Sequence, residues 1–300
     1  MSEPQTPLPF EGKTALITGA SRGLGAGLAR TMARQGADVI VTFRRAEDQA
    51  QKIAGEICGM GRKAWIFQLE MGEEESIEAL FEKIDQDVGG LDICVLNAAA
   101  TSFRPLMDAQ LKHLQKTYAI SVFGFLRAVQ LAFPRIQKRG GGTIMGVSGA
   151  DTRAWIPTHG VLAGAKAAME SMINYLAVEN GDSGVTILGV NPGVIRTDSV
   201  DVMLGELADP LMAKQAESHP RRQIATPDDM AESVALLLQP AARWAHGTTV
   251  DLDAGGIFSM FGRFGNECLQ QALRGGTPQA PAPMVRPVAE TQKPDGSDQP

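Results

Sequence analysis

The stretch "TGASRGLG", residues 18–25, decides the fold of this chain. It follows an apolar run, "KTALITG" (13–19), and it opens a helically spaced segment, "GLGAGLARTMARQG" (23–36). Its glycines permit a tight turn between a strand and a helix, and they leave backbone N–H groups free at the start of the helix. A strand, a glycine turn and a helix in this order are typical of the first unit of a parallel α/β sheet.

The same alternation continues along the chain. The predicted strands are 13–19, 37–43, 63–71, 91–99, 142–149, 185–193 and 248–256, and the predicted helices are 23–36, 47–61, 73–89, 111–138, 162–181 and 228–240. The strand runs are continuously apolar, which is typical of strands buried on both faces. The sequence therefore predicts the α/β class, with a single doubly wound Rossmann-type parallel sheet of about seven strands and helices on both faces.

The composition limits the partners and the compartment. The formal net charge of -6 argues against nucleic acid as the main partner. Cys58, Cys94 and Cys268 are far apart and have no metal-ligand spacing, so we expect free thiols, no metal site and a reducing, cytoplasmic compartment. No apolar run approaches the roughly 20 residues of a membrane span, so we expect no membrane partner.

The unbroken alternation favours one domain. We expect residues 1–9 to form an N-terminal arm and residues 10–262 to form the domain, with a Met- and Leu-rich substrate lid around 198–223. Residues 263–300 form a C-terminal extension, and its Pro-rich, polar part from about residue 277 is expected to be disordered.

The glycine loop favours dinucleotide binding. Glycine lets a pyrophosphate approach the backbone, and the following helix offers free N–H groups and the positive end of its dipole. We therefore predict that the loop contacts a dinucleotide through Gly19, Ser21, Arg22, Gly23, Leu24 and Gly25.

Two arginines at the end of the second predicted strand favour NADP(H) over NAD. Arg44 and Arg45 stand where an NAD site would place an acid for the ribose 2′-hydroxyl. Basic residues suit a 2′-phosphate through charge-assisted hydrogen bonds. The alternative is a solvated arginine pair on the surface.

Four motifs together resemble the short-chain dehydrogenase/reductase family over about residues 10–260: the glycine loop, "LNAAA" (96–100), "NPGVIRTD" (191–198) and "VDLDAGG" (250–256). The wording "NAAATSFRPLMD" (97–108) is most similar to the enoyl-acyl-carrier-protein reductase III branch. The resemblance implies cofactor contacts and assembly into a homodimer or homotetramer. The further contacts that it implies are Glu70 near the adenine, Asn97 and Ala98 after the fourth strand, and Pro192, Gly193 and Thr197 towards the nicotinamide.

The catalytic pattern departs from that family. Its members use a tyrosine acid, a lysine, a serine and an asparagine, and here Lys166 matches the lysine, which holds the nicotinamide ribose. The tyrosine position four residues before Lys166 is Leu162. The position seven residues before it, where the reductase III branch has its tyrosine, is His159. An ordinary snorkelling lysine is the alternative interpretation of Lys166.

The remaining catalytic positions stay open. The serine position falls on Gly149, with Ser148 beside it, and the asparagine position falls on Ser121. His159 is interpreted either as the replacement acid, since imidazole titrates near neutral pH, or as a histidine at a helix entry. Ser148 is either a hydrogen-bond donor to the substrate or a local cap, and Ser121 either holds a water relay or faces its helix neighbours.

Three functions fit this pattern. The first is an NADP(H)-dependent oxidoreductase that reduces a carbonyl or enoyl group of an acyl-type small molecule, for which a carrier-bound acyl group is one candidate. The second is a non-redox cyclase, dehydratase or isomerase on the same scaffold. The third is a catalytically silent NADP-binding partner or sensor. A fold alone does not choose among them.

Overall fold

Seven parallel strands form the centre of the protein, as the sequence predicts. The strands are β1 (Thr14–Ile17), β2 (Asp38–Phe43), β3 (Ala64–Gln68), β4 (Ile93–Leu96), β5 (Gly142–Val147), β6 (Val185–Asn191) and β7 (Thr249–Asp251). Their order in the sheet is β3-β2-β1-β4-β5-β6-β7. The order reverses at β1, which pairs with β2 on one side and with β4 on the other. A crevice for ligands is expected at the carboxyl ends of the strands beside this reversal.

Helices cover both faces of the sheet. They are α1 (Gly23–Arg34), α2 (Glu47–Gly59), α3 (Glu74–Lys83), α4 (Leu111–Tyr118), α5 (Gly124–Lys138), α6 (Gly160–Glu179), α7 (Ala208–Ser218) and α8 (Pro227–Leu237). Alternate strand residues enter two separate cores. Ile17 packs in the core under α1 and α8, whereas Leu16 packs in the core under α3, α5 and α6. The apolar strand runs of the sequence follow from this burial on both sides.

The computed structural model describes residues 7–197, 200–201 and 205–259. Only the last part of the predicted arm, residues 7–9, is therefore described, and those residues are exposed. The predicted extension 263–300, with its expected disorder from about residue 277, lies outside the described residues. Residues 198–199 and 202–204 of the predicted lid lie outside them as well.

The predicted long helix 111–138 is interrupted. A π-helical turn, Ala119–Phe123, separates α4 from α5. By length and composition alone this helical run could cross a membrane, although we predicted no span of that kind from the sequence. Half of its most apolar window is buried in the protein, and Phe125, Val129 and Ile136 belong to the core. It therefore packs here as a core helix.

Candidate functional site

The glycine loop has a backbone shape that side chains would disrupt. Gly19 and Gly23 have φ values of +66° and +56°, in the left-handed region that favours glycine. A Cβ at Gly25 would lie 2.4 Å from the carbonyl oxygen of Gly19 and 2.7 Å from Nδ2 of Asn97. The loop can close this tightly only because Gly25 has no side chain.

Thr18 ties the loop to the end of β4. Its buried Oγ1 accepts hydrogen bonds from the backbone N–H groups of Asn97 (2.9 Å) and Ala98 (3.0 Å). Asn97 Nδ2 in turn donates to the carbonyl of Thr18 (3.0 Å). The predicted contacts Asn97 and Ala98 thus lie directly beside the loop. Sequence reasoning missed the role of Thr18, although its place between β1 and Gly19 was a usable signal.

The start of α1 offers free donors. No side chain caps the helix at Arg22, and its first turn contains no acidic residue. The helix dipole therefore keeps an uncompensated positive end, and the first N–H groups have no intrahelical acceptor. Arg22 is exposed, Ser21 is half-buried and Leu24 is buried against the core. This arrangement fits a phosphate group above Ser21 and Arg22.

Arg44 and Arg45 border an open cavity after β2. The cavity has a volume of about 370 Å³, and its wall includes both arginines, Glu70 and Lys83. Both arginines are exposed, and Arg44 Nε lies 3.9 Å from Glu70 Oε2, which is a loose ion pair. Two guanidinium groups and an ammonium group therefore line this cavity, together with the carboxylates of Glu70 and Glu73. Glu70 lies in the same wall, and its contact with the adenine stays a prediction.

The segment after β6 returns to the glycine loop. Asn191 is fully buried, and its side chain donates to Asp251 Oδ1 (2.8 Å) and accepts from the N–H of Gly193 (3.1 Å). Gly193 has a φ of +65°. A Cβ at Gly23 would lie 3.6 Å from Cγ2 of Thr197. Thr197 thus lies beside the glycine loop, whereas Pro192 and Gly193 precede it in the same segment and line a neighbouring cavity.

Lys166 is buried where α6 crosses the end of β5. Its side chain is 4% exposed, and Nζ donates to the carbonyl of Val147 at 2.5 Å. Burial lowers the pKa of Lys166 to about 8, and the carboxylates of Asp151 and Glu170 oppose that shift. A cation at this place can contact a ribose hydroxyl or a substrate oxygen.

His159 immediately precedes α6. Its Nδ1 lies 3.0 Å from the carbonyl oxygen of Pro157, and because a carbonyl only accepts, Nδ1 is the donor. Nε2 is then the acceptor of the neutral ring. The ring packs on Phe103 with centroids 4.8 Å apart. The preceding residue, Thr158, has a φ of +66°, a strained value for a β-branched residue.

The serine candidates have different surroundings. Ser148 is buried, and its hydroxyl donates to the carboxylate of Glu170. Glu170 also accepts from Thr152 Oγ1 (2.9 Å) and Arg153 Nη1 (2.6 Å). Ser148 is therefore part of a polar network between β5 and α6. Ser121 lies in the π-helical turn, and its buried hydroxyl has no hydrogen-bond partner among the described residues.

The predicted lid borders a second cavity of about 540 Å³ beside Pro192 and Gly193. α7 forms part of its wall through Gln215, and Arg196 holds α7 by an ion pair with Asp209 (2.6 Å). The wall contains the guanidinium group of Arg221 and three carboxylates, those of Asp229, Asp251 and Asp253.

The chain matches the family model described as "Enoyl-(Acyl carrier protein) reductase" over residues 19–256. It is 35% identical to 1-cyclohexenylcarbonyl-CoA reductase of Streptomyces collinus, and the match covers 81% of this chain and 86% of that protein. These two findings agree with the motifs in the glycine loop and after β4 and β6.

Two solved structures of dehydrogenases are similar to this chain in sequence and in fold. A short-chain dehydrogenase from Burkholderia cenocepacia in complex with NADP is 30% identical, with a TM-score of 0.74 and coverage of 83% of this chain and 99% of that one. A 7α-hydroxysteroid dehydrogenase in complex with NADH and a bile acid is 29% identical, with a TM-score of 0.78 and coverage of 85% and 98%. The chain therefore belongs to the short-chain dehydrogenase/reductase family.

Proposed function

We propose that the chain is an NADP(H)-dependent reductase of a carbonyl or enoyl group in an acyl-type small molecule, with a non-standard active site. The observation that carries the proposal is the cradle formed by the glycine loop, Asn97 and Thr197, which leads to the buried Lys166. A dinucleotide in this cradle places its nicotinamide near α6.

The choice of NADP(H) rests on charge. Arg44 and Arg45 are exposed at the end of β2, where a ribose 2′-phosphate would lie. Guanidinium groups bind phosphate oxygens in a bidentate manner. The related dehydrogenase from Burkholderia cenocepacia contains NADP, which supports the same choice. Glu70 lies across the cavity from Arg44 and is available to the adenine amine.

The substrate class rests on the relative from Streptomyces collinus, which is named for the reduction of a CoA thioester. Reduction of a conjugated enoyl thioester passes through an enolate, and donors near its oxygen stabilise that charge. Such a reaction tolerates the loss of a phenol acid better than ketone reduction does, because the bound cofactor supplies the hydride. Leu162 in the tyrosine position is compatible with this chemistry.

The side chains around α6 divide the remaining work. Lys166 holds the ribose and keeps a positive charge near the substrate oxygen. His159 presents Nε2 beside Phe103 at the entrance of the site. Ser148 fixes Glu170 and so aligns β5 with α6. The unpartnered hydroxyl of Ser121 is available to a water molecule behind Lys166.

Because position 162 holds leucine instead of the family's tyrosine, two other functions remain candidates. A non-redox enzyme or a silent NADP-binding partner would need the cradle but no acid at Leu162. NADPH binding and oxidation separate these functions: binding is followed by fluorescence, and oxidation is followed by absorbance with enoyl, oxoacyl and simple ketone substrates. We expect binding together with oxidation on a thioester. Binding without oxidation on the whole panel would contradict the reductase.

The proposal also includes self-association of the protein and a cytoplasmic location. The helical run α4–α5 exposes Phe123 (64%), and α6 exposes Tyr175 (69%) and Val178 (83%) on one face. Exposed apolar side chains of this size favour contact with a second copy, as a homodimer or homotetramer. A cytoplasmic location is supported by the thiols of Cys58 and Cys94, which are free.

A further inference from the structure

We infer that Asp151 is the proton donor that replaces the missing tyrosine of this active site. This inference rests on the proposed reductase function and adds a catalytic residue to it. Asp151 lies in a short 3-10 turn, Ala150–Thr152, directly after the end of β5. It is separated from Leu162 and Lys166 in sequence, and no motif marks it.

The first observation is the space that Asp151 occupies. The family's serine position is Gly149 here, and a Cβ at Gly149 would lie 2.6 Å from Oδ1 of Asp151. A serine side chain at position 149 and the present carboxyl group would therefore overlap. The Asp151 carboxyl group therefore occupies the space that a side chain at position 149 would enter, next to the end of β5.

The second observation is that the carboxyl group is buried without a partner. Both Asp151 oxygens are shielded from solvent, and neither accepts a hydrogen bond of ordinary geometry from the described residues, although the backbone N–H of Asp151 itself lies close enough to lower the pKa of the carboxyl group. Buried carboxyl oxygens are almost always paired in proteins. An unpaired one beside a cofactor cradle is expected where a ligand supplies the missing partner.

The third observation is the set of charges that face Asp151. Burial raises the pKa of this carboxyl group, and Glu170 raises it further, whereas His159 and Lys166 lower it. Burial is the largest of these effects, so the protonated form is favoured relative to a free aspartic acid. The ammonium group of Lys166 stabilises the carboxylate that remains once the proton has left.

These features describe a general acid. Reduction adds one hydride and one proton across the substrate double bond, and NADPH becomes NADP⁺. The carboxyl O–H of Asp151 breaks, and its proton goes to the carbonyl or enolate oxygen. Asp151 is left as a carboxylate beside His159 and Lys166, and re-protonation from solvent before the next turnover requires its shielded oxygens to become accessible.

The test compares wild type with two acid-free variants, Asp151→Asn and Asp151→Ser, so that a folding failure of one does not leave the outcome open. Asp182→Asn, in an exposed turn, is the matched control. Each protein is assayed for NADPH binding and for oxidation of NADPH on enoyl and oxoacyl thioesters from about pH 5 to about pH 9. We expect kcat to fall roughly 100-fold or more in both acid-free variants, with NADPH binding unchanged. The control keeps the wild-type rate.

A rebuilt site gives an independent readout. The triple variant Gly149→Ser, Asp151→Gly, Leu162→Tyr restores the family's serine and tyrosine and should recover turnover, with a pH profile that differs from that of wild type. Wild-type turnover that survives both acid-free variants with an unchanged pH profile would overturn the role of Asp151 alone. No turnover by wild type on any substrate would overturn the proposed function and this inference together.

Discussion

Lys166 shows how a single residue combines binding and charge. Its ammonium is buried against the carbonyl of Val147, where desolvation acts against its positive charge. The folded-state pKa of about 8 lies below the ordinary value of 10.5. A buried base with a depressed pKa does not destabilise the fold above its unfolded-state pKa, because it is neutral in both states there. The destabilisation grows as the pH falls below that value, and it is complete below the folded-state pKa. Lys166 therefore weakens the fold at neutral pH, and we ascribe its presence to the cofactor.

Lys166→Met tests this trade-off. We expect NADPH affinity to fall about tenfold or more, the effect of losing one hydrogen bond from a charged donor, about 1.5–3 kcal/mol. Relative to wild type, the variant's Tm should improve as pH is lowered from about 10 to about 7, since it has no buried charge to form. Fluorescence titration and thermal unfolding measure the two effects. Unchanged NADPH affinity would remove Lys166 from the cofactor site.

At the scale of elements, the turn between β1 and α1 determines whether the cradle forms. A Cβ added at Gly25 would meet the backbone of Gly19 on one side and the side chain of Asn97 on the other. The movement of a side chain alone therefore cannot accommodate an added methyl group. Gly55, in α2, is exposed, and a Cβ added there would have no other atom within 4 Å. The two glycines therefore allow a matched comparison of the same substitution.

Gly25→Ala should abolish measurable NADPH binding, because the Gly19 carbonyl must move and the loop must open. Gly55→Ala should retain binding and gain up to about 1 kcal/mol in the free energy of unfolding, since alanine is the better helix former. NADPH titration and chemical denaturation follow the two properties. Normal binding by Gly25→Ala would show that the loop does not carry the dinucleotide.

We propose that the two arginines at the end of β2 select NADPH over NADH. In Arg44→Ala, Arg45→Ala, we expect NADPH affinity to fall by at least tenfold, because charge-assisted hydrogen bonds to the 2′-phosphate are lost. NADH affinity should change little. Arg243→Ala, which removes an exposed arginine from a distant 3-10 turn, is the control. An equal loss for NADPH and NADH would mean that the arginines do not contact the 2′-phosphate.

Elements were more predictable than the contacts between them. The strands appear within a few residues of their predicted positions because short, continuous apolar runs between helically spaced segments leave few alternatives. The π-helical turn after Tyr118 was not predicted, since one extra residue barely disturbs helical periodicity. The role of Asp151 was missed because it depends on how β5, Gly149 and α6 meet in space.

At the scale of the whole molecule, the protein combines the dinucleotide cradle of its family with a different proposed proton donor, Asp151. The sheet reversal at β1 places the glycine loop, the end of β4 and the segment after β6 at one edge, and that much followed from the sequence. The same edge receives α6, in which Lys166 is retained and Leu162 occupies the position of the family's tyrosine. We therefore claim that hydride transfer still occurs at this edge.

Deuterium transfer tests that claim most directly. The purified chain is incubated with NADPH that carries deuterium at the transferable position and with an enoyl thioester of CoA, and the product is analysed by mass spectrometry. We predict a reduced product that contains the deuterium, and none when Gly25→Ala replaces wild type. A product without deuterium, or an isomerised or dehydrated product with NADPH unconsumed, would contradict the reductase.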